Sequence, residues 1–241
     1  MKTLVISDIH NKVYWIEKAL AELKTKYDYD EVVFLGDYFD SWHDDHWVAG
    51  NTAHWLKQSL AQPNRIHLIG NHDMPYRFPN NDSVHCPGFN SWKCKMINSI
   101  LTHEDWNKLL PAYASNGWLF SHAGFSPEFI DVGKGPLTAP ELVESAMRGL
   151  EIVKANMPHP LFLAGSRMCE PNMGGITWAD FDDEASVYPG VKQLVGHTPG
   201  KEVRTLITPE GELSCMDTGN TIVCLITDGE LTSIPNEYLT K

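Results

Sequence analysis

Nowhere does the chain gather Lys and Arg into a cluster. Its 19 basic residues are outnumbered by 31 acidic ones, for a formal net charge of −12. Cations that neutralise phosphates supply most of the affinity for long nucleic acids, so a duplex partner is not expected. No apolar run approaches the roughly 18 residues that a bilayer span needs. The opening MKTLVISDIH reads as a strand rather than a cleaved leader. The expectation is a cytoplasmic protein with no membrane contact. The five cysteines (Cys86, Cys94, Cys169, Cys215, Cys224) are odd in number and scattered, which argues for reduced thiols over a disulfide framework. His85-Cys86 with Cys94 is a weaker zinc option, because its spacing matches no tight pattern. Internal repeats, low-complexity tracts and linkers are also missing. Residues 1–241 are therefore read as one α/β domain, large enough to bury a core without staples.

Three short apolar runs are present, each ending on side chains that favour metals. LVIS leads into Asp8-Ile9-His10, VVFL into Gly36-Asp37-Tyr38-Phe39-Asp40, and IHLI into Gly70-Asn71-His72-Asp73. Such runs read as buried parallel strands, and ligands of open α/β sheets gather beyond the carboxyl ends of the strands. Residues 12–26 place Val13, Ile16, Ala19, Leu20 and Leu23 on one helical stripe, so strand, loop and helix alternate. Helices are expected at 47–60, 99–110 and 139–155, with an irregular, substrate-flanking loop between at 74–96. A fourth strand, within 117–124, ends on His122. The C-terminal part reads as hairpins forming a second, largely antiparallel sheet.

The strand-end polar residues are Asp8, His10, Asp37, Asp40, Asn71, His72, His122 and His197. Carboxylate, imidazole and amide oxygen together suit Mn²⁺, Fe or Zn²⁺ better than Ca²⁺. Asp8 and His10, two residues apart, can chelate one ion. Asp37 has two oxygens and can bridge to a second ion completed by Asn71, His122 and His197. Two such ions can clamp the attacking and phosphoryl oxygens of an in-line displacement.

The series DIH, GDYFD, GNHD, SHAG and GHTP resembles the calcineurin-like metallophosphoesterase superfamily over about residues 3–220. The resemblance implies a two-sheet αββα sandwich with a dinuclear centre at the strand ends. It assigns Asp8, His10 and Asp37 to one metal, and Asp37, Asn71, His122 and His197 to the other. It makes His72 the general acid and Asp40 its orienting partner. Gly196-His197-Thr198-Pro199 puts Pro where nuclease-like members carry a second His, which is similar to the phosphoprotein-phosphatase and symmetrical diadenosine tetraphosphatase branch. Gly175 to Asp180 (GITWAD) resembles a Leu-Trp-Ser-Asp segment of that branch.

Two positions depart from the pattern. Ser41-Trp42 replaces the Arg-Gly that follows Gly-Asp-x-x-Asp, removing a bidentate phosphate clamp, and Asn11 stands where Gly is usual. Arg167, together with Asn71, is the candidate for substrate contact, with Arg77 a weaker one. His43-Asp44-Asp45-His46 reads as a solvated acidic loop more readily than a third metal site. Trp42, Trp47, Phe89 and Trp92 read as loop packing, or alternatively as a pocket for a base or aromatic leaving group. Asp217 is read as support near the site, not as a ligand.

The resulting expectation is a phosphatase-like phosphoesterase in which a metal-bridging hydroxide attacks phosphorus and His72 protonates the leaving group. Its partner would be a small phosphorylated substrate or a phosphoprotein. The alternatives are a phosphodiesterase of small or cyclic nucleotides, and a catalytically silent binding module on the same scaffold.

Overall fold

Successive residues of the first strand face two different cores, and this alternation creates the layers. The computed structural model describes residues 1–129, 135–168 and 173–238. Leu4 and Ile6 pack with the helices on one side, while Val5 packs toward the second sheet on the other.

The strands are β1 (Lys2–Ile6), β2 (Glu31–Phe34), β3 (Arg65–His67), β4 (Ala112–Ser115), β5 (Trp118–Ser121), β6 (Lys192–Val195), β7 (Arg204–Thr208), β8 (Gly211–Cys215), β9 (Ile222–Thr227) and β10 (Glu230–Pro235). The helices are α1 (Ile16–Tyr27), α2 (His46–Ser59), α3 (Met74–Arg77), α4 (Ser91–Ile100), α5 (His103–Trp106) and α6 (Ala139–Lys154). One sheet runs β10-β9-β1-β2-β3 and the other β4-β5-β6-β8-β7. Strands β1, β2 and β3 are parallel neighbours, so their three ligand loops leave one edge side by side. Parallel β5, β6 and β8 do the same for His122 and His197. Val5, Val33, Leu68, Phe120, Leu194 and Met216 pack together between the sheets. Helices α1 and α2 cover one outer face and α6 the other, giving the expected αββα sandwich.

Several expectations are corrected. The second sheet is mixed, not largely antiparallel, since β5-β6 and β6-β8 pair in parallel. The last hairpin leaves it altogether, because β9 pairs with β1 and buries Val223, Cys224, Leu225 and Ile226. The single helix expected at 99–110 does not form. Helix α4 starts inside the stretch taken as irregular, where the Asn90 side chain accepts from the backbone N–H of Trp92 and Lys93. It stops at Leu101, and a Thr102–Asp105 capping box starts the short α5. The 74–96 stretch is also less solvated than its composition suggested: Met74, Tyr76, Val84 and Lys93 are buried. Helix α1 begins at Ile16, four residues into the expected 12–26 stretch, after a turn in which His10 and Asn11 have positive φ (43° and 64°). Cys86, Cys94, Cys215 and Cys224 are free thiols, and Cys169 lies outside the described residues.

Candidate metal centre

Asp8 and Asp37 are 3% and 1% exposed, and among the described residues neither has a Lys or Arg partner. Among basic side chains only imidazoles pair with them: His122 Nε2 is 3.4 Å from Asp37 Oδ2 and 3.9 Å from Asp8 Oδ2, and His10 Nε2 is 3.7 Å from Asp37 Oδ2. Burying two carboxylates without a countercharge is costly, so the donor set itself calls for a cation.

The backbone is shaped to bring them there. Asp37, Asp40, His10 and His197 all have positive φ, which non-glycine residues rarely adopt. The Asp73 carboxylate pins the turn by accepting from the N–H groups of Asp37, Tyr38 and Gly70, each at 2.8 Å. Burial and the Asp37 charge push its pKa up to about 7. Two glycines leave room for the carboxylates: a Cβ on Gly70 would lie 2.1 Å from Asp37 Oδ1, and one on Gly196 would lie 2.2 Å from Asp8 Oδ1. Asp8 is held further by Ser7 Oγ at 2.7 Å and by the His197 N–H at 3.1 Å.

Each candidate histidine ligand has one ring nitrogen against a backbone carbonyl. His10 Nδ1 donates to Asp40 O (2.7 Å), His122 Nδ1 to Leu35 O (2.8 Å) and His197 Nε2 to Trp178 O (3.1 Å). A carbonyl can only accept, so in the neutral ring the opposite nitrogen is left as a lone pair aimed inward. This is how metal-bound imidazoles are oriented. Trp178 lies in the GITWAD segment, so that segment's part is to seat His197.

The inward atoms converge. His122 Nε2 lies 3.0 Å from Asn71 Oδ1, 3.1 Å from His197 Nδ1 and 3.4 Å from Asp37 Oδ2. Ligands bound at roughly 2.1 Å to one ion sit about 3.0–3.4 Å apart in octahedral or tetrahedral geometry. The Asn71 amide has two possible orientations. With nitrogen inward, its two N–H bonds have His122 Nε2, His197 Nδ1, Asp37 Oδ2 and the Thr177 carbonyl in reach; with oxygen inward it adds a fourth lone pair, which a cation would stabilise. Asp8, His10 and Asp37 make a second group with donor atoms in mutual reach, so Asp37 belongs to both. The residues fit two metal ions that share it.

The field agrees. Burial alone would raise the Asp37 pKa, but His122, His72 and His10 outweigh it and hold the group well below the usual carboxylate range. Burial lowers the His122 pKa, yet Asp37 and Asp8 carry it up to about 9. A field that strong for a proton also favours a bound cation. His197 is pushed well down, by burial and then by His122 and Arg167. Asp217 is buried nearby and accepts from the Gly219 N–H; burial and Asp8 raise its pKa to about 7.

His72 and Asp40 stand beside these two groups. His72 Nδ1 is 3.0 Å from Asp40 Oδ2, and its backbone N–H donates to Asp37 Oδ1 at 2.9 Å. Asp40 Oδ1 accepts from Tyr76 Oη and Lys93 Nζ, each at 2.5 Å. Neither Tyr76 nor Lys93 was singled out from sequence, since both lie in the stretch read as loop. Cys86 Sγ also approaches His72 Nδ1, at 3.6 Å, so Asp40, His72 and Cys86 form a third cluster. Cys94 and His85 take no part in it.

The remaining candidates resolve differently. Arg167 donates to Asp180 from Nε (2.7 Å), and its Nη2 reaches both Asp180 (2.6 Å) and Thr198 Oγ1 (3.2 Å), beside His197. Arg77 turns away to Leu109 O and Asn107. In the 43–46 insert, the Asp44 side chain is covered, pairs with Lys93 and accepts from Asn11 and the Ser41 N–H, while Asp45 caps α2. Asp44 is therefore not solvated as expected, and the insert contributes to none of the metal-capable groups among the described residues. The packing expected of the aromatic residues is overturned for three: Trp42, Trp47 and Trp92 are 95%, 66% and 67% exposed.

Fold and site together define a metal-dependent phosphoesterase scaffold. The chain belongs to the calcineurin-like phosphoesterase family, whose model matches residues 1–201, and it is a hydrolase acting on phosphoric ester bonds. No curated protein matches the sequence. Among solved structures, it is similar to the cold-active protein-tyrosine phosphatase of a psychrophile, Shewanella sp., at 18% identity with a TM-score of 0.56, over 96% of this chain and 77% of that one. It is also similar to a protein assigned as a diadenosine tetraphosphatase, at 14% identity with a TM-score of 0.52, over 98% and 93%. At these identities the likeness is one of fold. Among the described residues, no helix is long and apolar enough to cross a membrane.

Proposed function

We propose that the chain is a phosphatase-like, two-metal phosphoesterase acting on a small phosphorylated molecule or a phosphoprotein. The observation that carries this reading is the shared orientation of His10, His122 and His197, each tied by one nitrogen to a backbone carbonyl with the other facing inward within metal-sharing reach of Asp37. In this reading Asp8, His10 and Asp37 hold one ion, and Asp37, Asn71, His122 and His197 the other, with Mn²⁺ the best match to the mixed donors. Bound divalent ions supply Lewis acidity and make water nucleophilic at neutral pH.

The chain's own residues do the rest. Asp40 fixes His72 by its Nδ1, which leaves Nε2 to give a proton to the departing oxygen. Tyr76 and Lys93 hold the other Asp40 oxygen, so the carboxylate cannot rotate away. In this reading Arg167, beside Thr198, and Asn71 would meet phosphate oxygens.

A diesterase reading is favoured by one feature: Ser41 is engaged with Asn11 and Asp44, so no guanidinium stands at that position to grip a dianionic monoester. A panel of monoesters, diesters, dinucleoside polyphosphates and phosphopeptides, assayed with added Mn²⁺, tests both readings. Hydrolysis abolished by chelator is expected. Purified protein that takes up no transition metal and cleaves no ester would overturn both.

A further inference from the structure

His72 Nδ1 faces two acidic groups, not one: Asp40 Oδ2 at 3.0 Å and Cys86 Sγ at 3.6 Å. One donor atom from each of Asp40, His72 and Cys86 lies within 4.8 Å of the others. Among the described residues, this is the one metal-capable group that contains sulfur, and it shares no residue with the two groups that meet at Asp37. The chemistry above uses His72 and Asp40 and leaves Cys86 without a task.

The distances suit a tetrahedral ion. With bonds of about 2.05 Å to nitrogen and oxygen and about 2.3 Å to sulfur, donors sit roughly 3.3 Å apart for an N, O pair and 3.6 Å for an N, S pair. The observed 3.0 and 3.6 Å therefore ask for little movement. The donors are also held in advance. Tyr76 and Lys93 take Asp40 Oδ1, which leaves Oδ2 to face His72. Gly88 packs so closely that a Cβ there would lie 2.8 Å from Asp40 Oδ2. Cys86 is 7% exposed, and its thiol donates to Asn71 O at 3.4 Å. The His72 side chain is 24% exposed, which leaves a way in for an ion and for water as a fourth ligand.

Charge and donor type select the ion. Asp40 and Asp44 exceed the Lys93 ammonium between them by one negative charge, and a thiolate adds a second, matching a divalent cation. Sulfur and imidazole favour zinc over manganese, which prefers oxygen.

We propose that Asp40, His72 and Cys86 form an inhibitory Zn²⁺ site, separate from the centre that shares Asp37. Binding releases the Cys86 thiol proton and the His72 Nδ1 proton to solvent, and the ion bonds Sγ, Nδ1 and Asp40 Oδ2 in their place. The His72 ring is then fixed to metal by the nitrogen through which Asp40 orients it. It can no longer become the cation that gives a proton to a departing oxygen. Asp40 is already shared with Tyr76 and Lys93, so this site fills after the central one, when zinc is in excess. The inhibition rests on the phosphoesterase reading above; the binding does not.

Cobalt reads the binding without turnover, because a thiolate–Co²⁺ bond adds an intense near-ultraviolet charge-transfer band that oxygen and nitrogen ligands lack. Protein loaded with Mn²⁺ is titrated with Co²⁺ and then with Zn²⁺. The band should saturate at about one equivalent of added cobalt per chain, as expected of a single tetrahedral site, and zinc should bleach it. It should vanish in Cys86→Ser and Cys86→Ala and persist in Cys94→Ser. No band in the wild type, or one that survives both Cys86 variants, overturns the site. With saturating Mn²⁺, added zinc should inhibit hydrolysis and further Mn²⁺ should not. Loss of an outer-shell partner alone costs roughly 10–100-fold in metal affinity, so Cys86→Ser should raise the zinc needed for half-inhibition at least about tenfold. Equal zinc sensitivity of variant and wild type overturns the inhibitory role. If no ester is hydrolysed at all, the phosphoesterase reading fails, while the cobalt band still decides the site.

Discussion

Lys93 Nζ lies 2.5 Å from Asp40 Oδ1, with both side chains about 95% buried, and the same ammonium reaches Asp44 at 3.0 Å. One lysine from α4 thus neutralises two carboxylates and fixes the one that holds His72. Removing one partner of a buried ion pair costs on the order of 3–5 kcal/mol, because a charge is left uncompensated. Lys93→Met should lower the thermal midpoint sharply. Adding Asp44→Asn should recover part of the loss by removing the second stranded charge. Equal midpoints for Lys93→Met and wild type would show that the ammonium contributes nothing to folding.

His72→Asn should retain the metal content of the wild type, since neither metal-capable group that shares Asp37 includes His72. Turnover of esters with poor leaving groups should fall about 10²- to 10⁴-fold, the usual worth of a general acid. p-Nitrophenyl phosphate should suffer much less, as its leaving group needs little protonation. A uniform loss across leaving groups would remove His72 from the acid role.

Gly70→Ala should cost metal occupancy without touching a ligand. The new methyl group would be driven to within 2.1 Å of Asp37 Oδ1, displacing the carboxylate shared by both ligand groups. Metal analysis of the purified variant, alongside Asp37→Asn, checks this. Both should bind less than the wild type, and a fully loaded Gly70→Ala protein would contradict the close approach.

Stability should depend on pH through His67, a buried ring bonded to Tyr38 Oη (2.9 Å) and Ser59 Oγ (3.0 Å). Burial, then the Arg65 charge, pushes its pKa from 6.5 down to about 3. Between those values the unfolded chain binds the proton and the folded one does not, so stability is lost as pH falls below about 6.5. The slope approaches about 1.4 kcal/mol per pH unit for this one group. Urea midpoints should therefore fall more steeply on acidification for the wild type than for His67→Gln. Parallel curves would refute the assignment.

Chelation should both abolish activity and lower the melting temperature, because ions that bind only the folded state stabilise it by mass action. Asp37→Asn should show little further change with chelator. A melting temperature that ignores chelator in the wild type would mean that Asp8 and Asp37 are compensated in some other way.

Much was legible in the residues. Runs such as LVIS and VVFL bury as strands wherever they lie, and β1, β2 and β3 being parallel neighbours follows from alternating strand and helix. The eight strand-end residues come together because each motif follows a strand and the strands that carry them are parallel neighbours in their sheets. Lys93 and Tyr76 were not legible, since a lysine on a polar helix reads as solvated until α4 is packed beside Asp40. The 99–110 helix failed for a related reason: Asn90 and the Thr102–Asp105 box override the apolar spacing.

Residue types in order along the chain already carry the chemistry: which side chains can hold metal, which can give a proton, and that no Arg follows Asp40. How they are held is a matter of packing, through carbonyls from Leu35, Asp40 and Trp178, the Asp73 pin, and a lysine reaching across from α4. Packing also decided that Trp92 stands at the rim of a cavity and is not packed into a loop. The physical reason is one of distance. These contacts join residues tens of positions apart, and their energies exist only once packing has excluded water and brought the partners together.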